Sequence, residues 1–255
     1  MRVLLSGEGP TDLGTCTNAI GVCEGSDFRI GPMTVLLSQM AAPRLGYELL
    51  DTPDSLHSIS ETALCARAKA MPSRLQAARS KKKDVETGYF YANAMALGSV
   101  AQQLEKETDE PVLAVLFRDN DGTRSSPGSL WADKWKSMHD GFLRSGFEHG
   151  IPMLPKPKSE AWLLCGMAVG SPSCAALENI SGNDDSPNSA KAQLDAALGG
   201  HMSGDELADW LMQHPLDAGR ASTMPVLRLS KMHWSLPLIA CCIESVFWKN
   251  IGKMQ

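Results

Sequence analysis

The chain reads as an α/β protein: a mostly parallel sheet flanked by helices, with a helical C-terminal portion. Three observations lead there. The run Val112-Leu-Ala-Val-Leu-Phe117 is apolar without alternation, as suits a strand buried on both faces of a parallel sheet. It ends in Arg118-Asp-Asn-Asp121, and open α/β sheets hold their ligands outside the carboxyl ends of such strands. An earlier run, Arg2-Val-Leu-Leu-Ser6, passes in the same way into Gly7-Glu-Gly-Pro10.

Taken in order, Arg2–Ser6 is the first expected strand. Leu13 to Gly31, rich in Gly, Thr and Asn, reads as a loop or lid, and Met33 to Met40 as a short helix. Tyr47-Glu-Leu-Leu50 is a weak second strand. Ser60 can cap a helix reaching Arg79, although Pro72 would kink or end it. A further helix from Tyr89 to Glu107 sets Phe90, Ala94, Leu97, Ala101 and Leu104 on one face and leads into the aspartate strand.

After the turn chemistry of Gly122–Gly128, Leu130 to Ser145 is helical, with Trp131, Trp135, Met138 and Phe142 as a core stripe rather than a base-stacking platform. Ile151-Pro-Met-Leu-Pro155 is a short strand whose prolines suit an edge. Ser159 can then cap a helix carrying Glu160 in its first turn, where the helix dipole favours a carboxylate even without a function. Helices follow over Ala190–Leu198, Asp205–Gln213 and Leu236–Lys249 with no further strand. The division expected is an α/β domain over 1–167 and a helical extension over 168–255.

The 43% hydrophobic and 21% charged fractions are those of an ordinary soluble protein. No apolar run approaches a membrane span, and the start turns polar too early for a signal peptide. Cys16, Cys23, Cys65, Cys165, Cys174, Cys241 and Cys242 form no C-x-x-C pair, an argument against a disulfide framework and against a zinc ribbon. A reduced, cytoplasmic protein is expected. A net charge of −5 does not favour generic nucleic-acid binding, although Lys81-Lys82-Lys83, and Arg118, Arg124, Lys134 and Lys136 around the aspartate strand, supply local basic character.

Candidate chemistry sits in the acids. Period-two alternation turns Asp119 and Asp121 to one side while Asn120 points away. Two carboxylates so close repel unless a cation neutralises them, and oxygen-only ligands suit Mg²⁺ or Mn²⁺ rather than zinc. Asp-Asn-Asp-Gly is also ordinary turn chemistry, so a second site has to decide. Glu8 provides it, sharing a rim with Asp119 and Asp121 if the two strands are neighbours. The glycine spacing Gly9 to Gly14 is that of a phosphate loop, but Thr15 stands where lysine is needed and Asp12 would repel phosphate.

Leu5-Ser-Gly-Glu-Gly-Pro-Thr-Asp12 and Leu116-Phe-Arg-Asp-Asn-Asp121 resemble the Glu-Gly and Asp-x-Asp motifs of the Toprim family. Lys156-Pro-Lys-Ser-Glu-Ala-Trp-Leu-Leu164 and Asn188-Ser-Ala-Lys-Ala-Gln-Leu194 resemble small stand-alone Toprim-like proteins of bacterial and phage-defence contexts. The resemblance implies a Rossmann-like Toprim sheet, a Mg²⁺ or Mn²⁺ site of Glu8, Asp119 and Asp121, and cutting or joining of phosphodiester bonds in DNA or RNA. Its OLD-type nucleases add a lysine and further acids, for which Lys156, Lys158, Glu160 and Asp12 are the candidates. It also admits an ATPase partner protein of a defence system and a homo-oligomer. The insertion over Leu13–Gly31 departs from the family pattern at Asp12. None of Tyr47, Tyr89 and Tyr91 is placed for topoisomerase chemistry, which leaves a nuclease.

Two rival readings stand beside it. Asp119-Asn-Asp-Gly-Thr123 also fits the D-x-D-G-T motif of haloacid-dehalogenase-type phosphatases, with Asp119 as nucleophile and Asn183-Asp-Asp185 as distal acids, but this leaves Glu8 without a role. The other is a non-catalytic regulatory subunit with a degenerate site. No G-x-S-x-G and no H-x-x-x-H spacing support serine or zinc hydrolase chemistry.

Overall fold

In the computed structural model the described residues are 1–18, 21–71, 85–120, 130–167, 173–221 and 223. Strands β1 (Arg2–Ser6), β5 (Leu56–Ile59), β6 (Val112–Phe117) and β7 (Gly150–Met153) lie parallel, and β3 (Val22–Glu24) adds an antiparallel edge on β5. The order across the sheet is β3-β5-β1-β6-β7, and β2 (Gly14–Cys16) pairs separately with β4 (Phe28–Ile30). The protein is therefore α/β, with a mixed, mostly parallel sheet.

All six residues of β6 are 0% exposed, whichever way they point, so both faces of the sheet are covered. Two groups of helices cover it. Helices α2 (Glu61–Ala70), α3 (Val85–Thr108) and α4 (Leu130–Ser145) pack on one another. Helices α1 (Pro32–Leu45), α5 (Ser159–Met167), α6 (Cys174–Leu177), α7 (Ala190–Leu198), α8 (Gly204–Gln213) and α9 (Ala218–Ala221) form the second group. Right-handed crossovers put these groups on opposite faces: the chain moves one way from β1 through α1 to β5, then the other way through α2 and α3 to β6. The C-terminal helices thus complete a layer of the α/β core.

Local sequence accounts for several elements. Ser60 Oγ accepts from the Ala63 N–H and caps α2, and Ser203 with Glu206 closes a capping box on α8. Helix α1 begins at Pro32 and ends on Gly46, whose φ of 76° is the left-handed conformation that glycine adopts without strain. Strand β7 is an edge, as its proline suggests. No described helix is long and apolar enough to cross a membrane.

Several expectations are corrected. Leu13 to Gly31 is not a plain loop but holds β2, β3 and β4, each of three residues, too short to show a period. Tyr47–Leu50 is not a strand: Leu49–Asp51 is a 3-10 turn, and the second parallel strand is Leu56-His-Ser-Ile59, all buried. Its polar pair His57 and Ser58 hides it from a hydrophobic pattern. Arg118 and Lys134, counted as surface charge, are 0% and 2% exposed.

The cysteines are corrected too. Disulfides join Cys16 to Cys23 and Cys165 to Cys174. The paired residues are 7 and 9 apart in the chain, so C-x-x-C spacing could not report them. The expected helix end at Arg79, Lys81–Lys83, Asp121, Arg124 and the helix Leu236–Lys249 lie outside the described residues, as does the expected domain boundary at 168.

Candidate functional site

Strand β1 has β5 on one side and β6 on the other, so the order of the parallel strands reverses between β1 and β6. A crevice at such a switch point, beyond the carboxyl ends, is the characteristic ligand position of an open α/β sheet. Register sets Ser6 opposite Leu116, so Glu8 and Asp119, two residues beyond their strands, stand at nearly the same height on adjacent strands. Both are half-buried. The neighbour relation that the sequence left conditional is met.

A third segment closes on this rim. The Ser159 backbone N–H donates to Asp119 Oδ1 at 3.2 Å and its hydroxyl donates to Asp12 Oδ1 at 2.8 Å. Asp119 thus meets the first amide of α5, where the helix dipole stabilises negative charge. Asp12 is held from its other side: its carbonyl oxygen accepts from the Met33 N–H at 2.9 Å. Ser159, read from sequence as a cap, instead clasps two acids from different parts of the chain.

Glu160, the next residue, is half-buried and within electrostatic reach of Asp12. Burial raises its carboxyl above the ordinary range, the charges of Asp12 and Asp184 add to this, and a backbone hydrogen bond and Lys158 oppose it. Its Oε2 is buried with no hydrogen-bond partner. Lys158 Nζ reaches both oxygens of Asp184 at 3.1 and 3.0 Å. Lys156 is half-buried two residues before Lys158. Asp12, Asp119, Ser159, Glu160, Lys158 and Asp184 therefore share one neighbourhood.

On the other face of the sheet, Arg118 turns away from these acids. Its Nη1 donates to the Phe117 carbonyl at 2.7 Å, and its guanidinium lies 5.8 Å from the centroid of the Tyr89 ring. Nε and Nη2 are buried without hydrogen-bond partners. The Tyr89 hydroxyl donates to Glu61 Oε1, and Glu61 Oε2 accepts from the Gly9 N–H at 3.4 Å. Burial, with the bonds to Glu61 and Cys65, pushes the Tyr89 phenol up. A chain of contacts thus runs from the residue before Asp119 to the residue after Glu8. Sequence reasoning missed Glu61, the contacts of Tyr89 and the clasping role of Ser159, and it named Asp184 only within Asn183-Asp-Asp185 of the phosphatase reading; a charged residue inside an otherwise apolar strand end, Arg118, was the one signal available for the rest.

A divalent cation suits the donor set by its chemistry: every acid on the rim offers hard oxygen, and Glu160 carries a buried oxygen with nothing to bind. Among the described residues no three His, Cys, Asp or Glu side chains group at metal-ligand spacing, and Asp121, the third of the expected ligands, is not among them. Comparison with family models, with curated proteins and with solved structures gave no match.

Proposed function

We propose that the protein is a metal-dependent nuclease that hydrolyses phosphodiester bonds of DNA or RNA on the rim formed by β1 and β6. The observation that carries the reading is that Glu8 and Asp119 follow adjacent strands at nearly the same height at the switch point, with Asp12 joined to Asp119 through Ser159. The Toprim resemblance implies Glu8 and Asp119 as two of three ligands on such a rim.

Glu8, Asp119 and Asp121 would hold Mg²⁺ or Mn²⁺, with Asp12 beside them. When bound, the cation supplies charge stabilisation at the phosphate and a more acidic water. The chain's own residues do the rest. Ser159 fixes the carboxylates of Asp12 and Asp119 in orientation. Lys158 is committed to Asp184, which favours Lys156 as the partner of the phosphate. Glu160, its carboxyl lifted by burial, is suited to exchange a proton with the attacking water or the departing oxygen. A cytoplasmic site of action, an ATPase partner in phage defence and a homo-oligomer belong to the same proposal. In a reducing compartment both cysteine pairs would stand as thiols.

The test is cleavage of DNA and RNA with Mg²⁺ or Mn²⁺ by wild type, Glu8→Gln and Asp119→Asn. Each variant should lose activity by orders of magnitude while keeping its fold. Cleavage persisting in both removes the site assignment. The phosphatase reading draws on one observation, the Lys158–Asp184 pair beside Asp119, which supplies a lysine and a distal acid. Turnover of an aryl phosphate insensitive to Glu8→Gln would establish it in place of the nuclease.

A further inference from the structure

Beside the acidic rim, a partly enclosed cavity of about 190 Å³ opens at the carboxyl ends of β1 and β5. Gly7 and Gly9, the neighbours of Glu8, form one wall, and Thr15, Ser58, Glu61 and Thr62 contribute the others. We propose that this cavity is a nucleoside subsite, taking the uncharged base and sugar of a nucleotide whose phosphate lies on the acidic rim. The assignment deepens the nuclease reading and rests on it for the position of the phosphate.

Size comes first. The volume is below the roughly 300 Å³ at which pockets begin to enclose drug-sized ligands, so what the cavity encloses is on the scale of one ring system with its sugar. Charge comes next. Among the described lining residues there is no Lys, Arg or His, while Glu61 is a carboxylate in the first turn of α2, where it already answers the positive end of that helix. An anion such as phosphate is therefore disfavoured inside the cavity. Hydroxyls of Thr15, Ser58 and Thr62 and the backbone of two glycines offer donors and acceptors to a neutral polar ligand.

Glu61 is the discriminating group. A carboxylate has about four lone-pair positions, and Glu61 engages the Tyr89 hydroxyl with Oε1 and the Gly9 amide at a long 3.4 Å with Oε2. The remaining acceptor capacity suits the N–H edge of a base, the kind of contact by which enzymes read an unstacked nucleotide. Position supports the pairing with the rim, because the turn that carries Glu8 is itself a wall of the cavity.

The experiment is NMR titration of the full chain with adenosine, guanosine, cytidine and uridine, and separately with inorganic phosphate. At least one nucleoside should saturate, shifting the Gly9 and Thr62 amides, and phosphate should neither shift them nor compete. Thr62→Trp, which fills the cavity from an exposed position, should weaken that nucleoside by about tenfold or more, and Thr62→Ser should leave it nearly unchanged. Glu61→Gln, which swaps an acceptor for a donor at the same volume, should change which nucleoside is preferred. No saturable nucleoside binding, shifts that avoid Gly9 and Thr62, or displacement by phosphate would overturn the subsite. Saturable binding with no cleavage by wild type would remove the nuclease reading and leave the subsite standing, and saturable binding with cleavage unchanged in Glu8→Gln would remove only the assignment of cleavage to the acidic rim. Loss of cleavage in Glu8→Gln without nucleoside binding would do the reverse.

Discussion

The hydroxyl of Ser159 lies 2.8 Å from Oδ1 of Asp12, 147 residues earlier in the chain. Ser159→Ala removes that donor and leaves Asp12 to face the neighbouring carboxylates without it. Loss of one hydrogen bond to a charged group should destabilise the protein by about 1.5–3 kcal/mol. If the acids hold a divalent cation, loss of an orienting group should also weaken Mg²⁺ about tenfold or more. Thermal melts across a Mg²⁺ series read both effects, and Ser159→Thr should restore the second. An unchanged Mg²⁺ response in Ser159→Ala would show that Asp12 is not oriented for a metal.

Glu160 predicts an unusual pH profile. Its carboxyl is raised in the folded state, so ionising it opposes folding. Stability should therefore fall as pH rises from the ordinary carboxylate value of 4.5 through the raised folded value, and stay reduced above it. Glu160→Gln should remove this decline and melt higher than wild type at neutral pH without metal. A variant that melts lower at neutral pH, with the decline intact, would refute the assignment.

His57 predicts the opposite limb. Arg2 Nη1 lies 3.0 Å from His57 Nε2, and because arginine only donates, Nε2 must accept and the proton sits on Nδ1, which faces Glu24 Oε2 at 3.1 Å. Burial lowers the imidazole pKa, Glu24 opposes this, and Arg2 reinforces it. Stability is then full above the ordinary value of 6.5 and is lost as pH falls from there through the lowered folded value. His57→Gln should flatten that acid limb while lowering stability at pH 8 by about 1–2 kcal/mol through lost hydrogen bonds. Urea melts at several pH values measure the two together.

Gly141 marks a close approach of α3 and α4. A Cβ there would press on the Tyr91 carbonyl oxygen and lie 2.8 Å from Ala94 Cβ. Alanine would normally favour a helix interior by about 1 kcal/mol over glycine. Here overpacking should reverse the sign and destabilise Gly141→Ala by about 1–3 kcal/mol, as read by denaturant melts. A gain in stability would show that the two helices separate freely.

How far the sequence could be read follows from how each signal arises. Val112–Phe117 was legible because a strand covered on both sides needs apolar residues everywhere, and the start of α2 because a serine before a helical run offers its hydroxyl to a free amide. Leu56–Ile59 was not, since His57 satisfies its polarity through Arg2 and Glu24, partners no local pattern reveals. Glu8 and Asp119 were legible as strand-end acids. Their adjacency was not, because it depends on β6 returning to the far side of β1. Nor could the pattern show that Ser159 would turn its donors on two acids.

The end of β6 also guards against a misfolding error. Consecutive residues there carry opposite charge to opposite faces: Arg118 goes to the Tyr89 ring and Asp119 to the start of α5. A strand that slid by one residue would exchange the two faces for every side chain. For the apolar stretch before them the exchange would change little, since Leu, Ala and Val suit both layers. For this pair it would drive a carboxylate against an aromatic face and a guanidinium onto a helix's positive end. The chain thus carries its own alignment key where its uniform interior offers none, and the residues that set it are the same ones that position the acids.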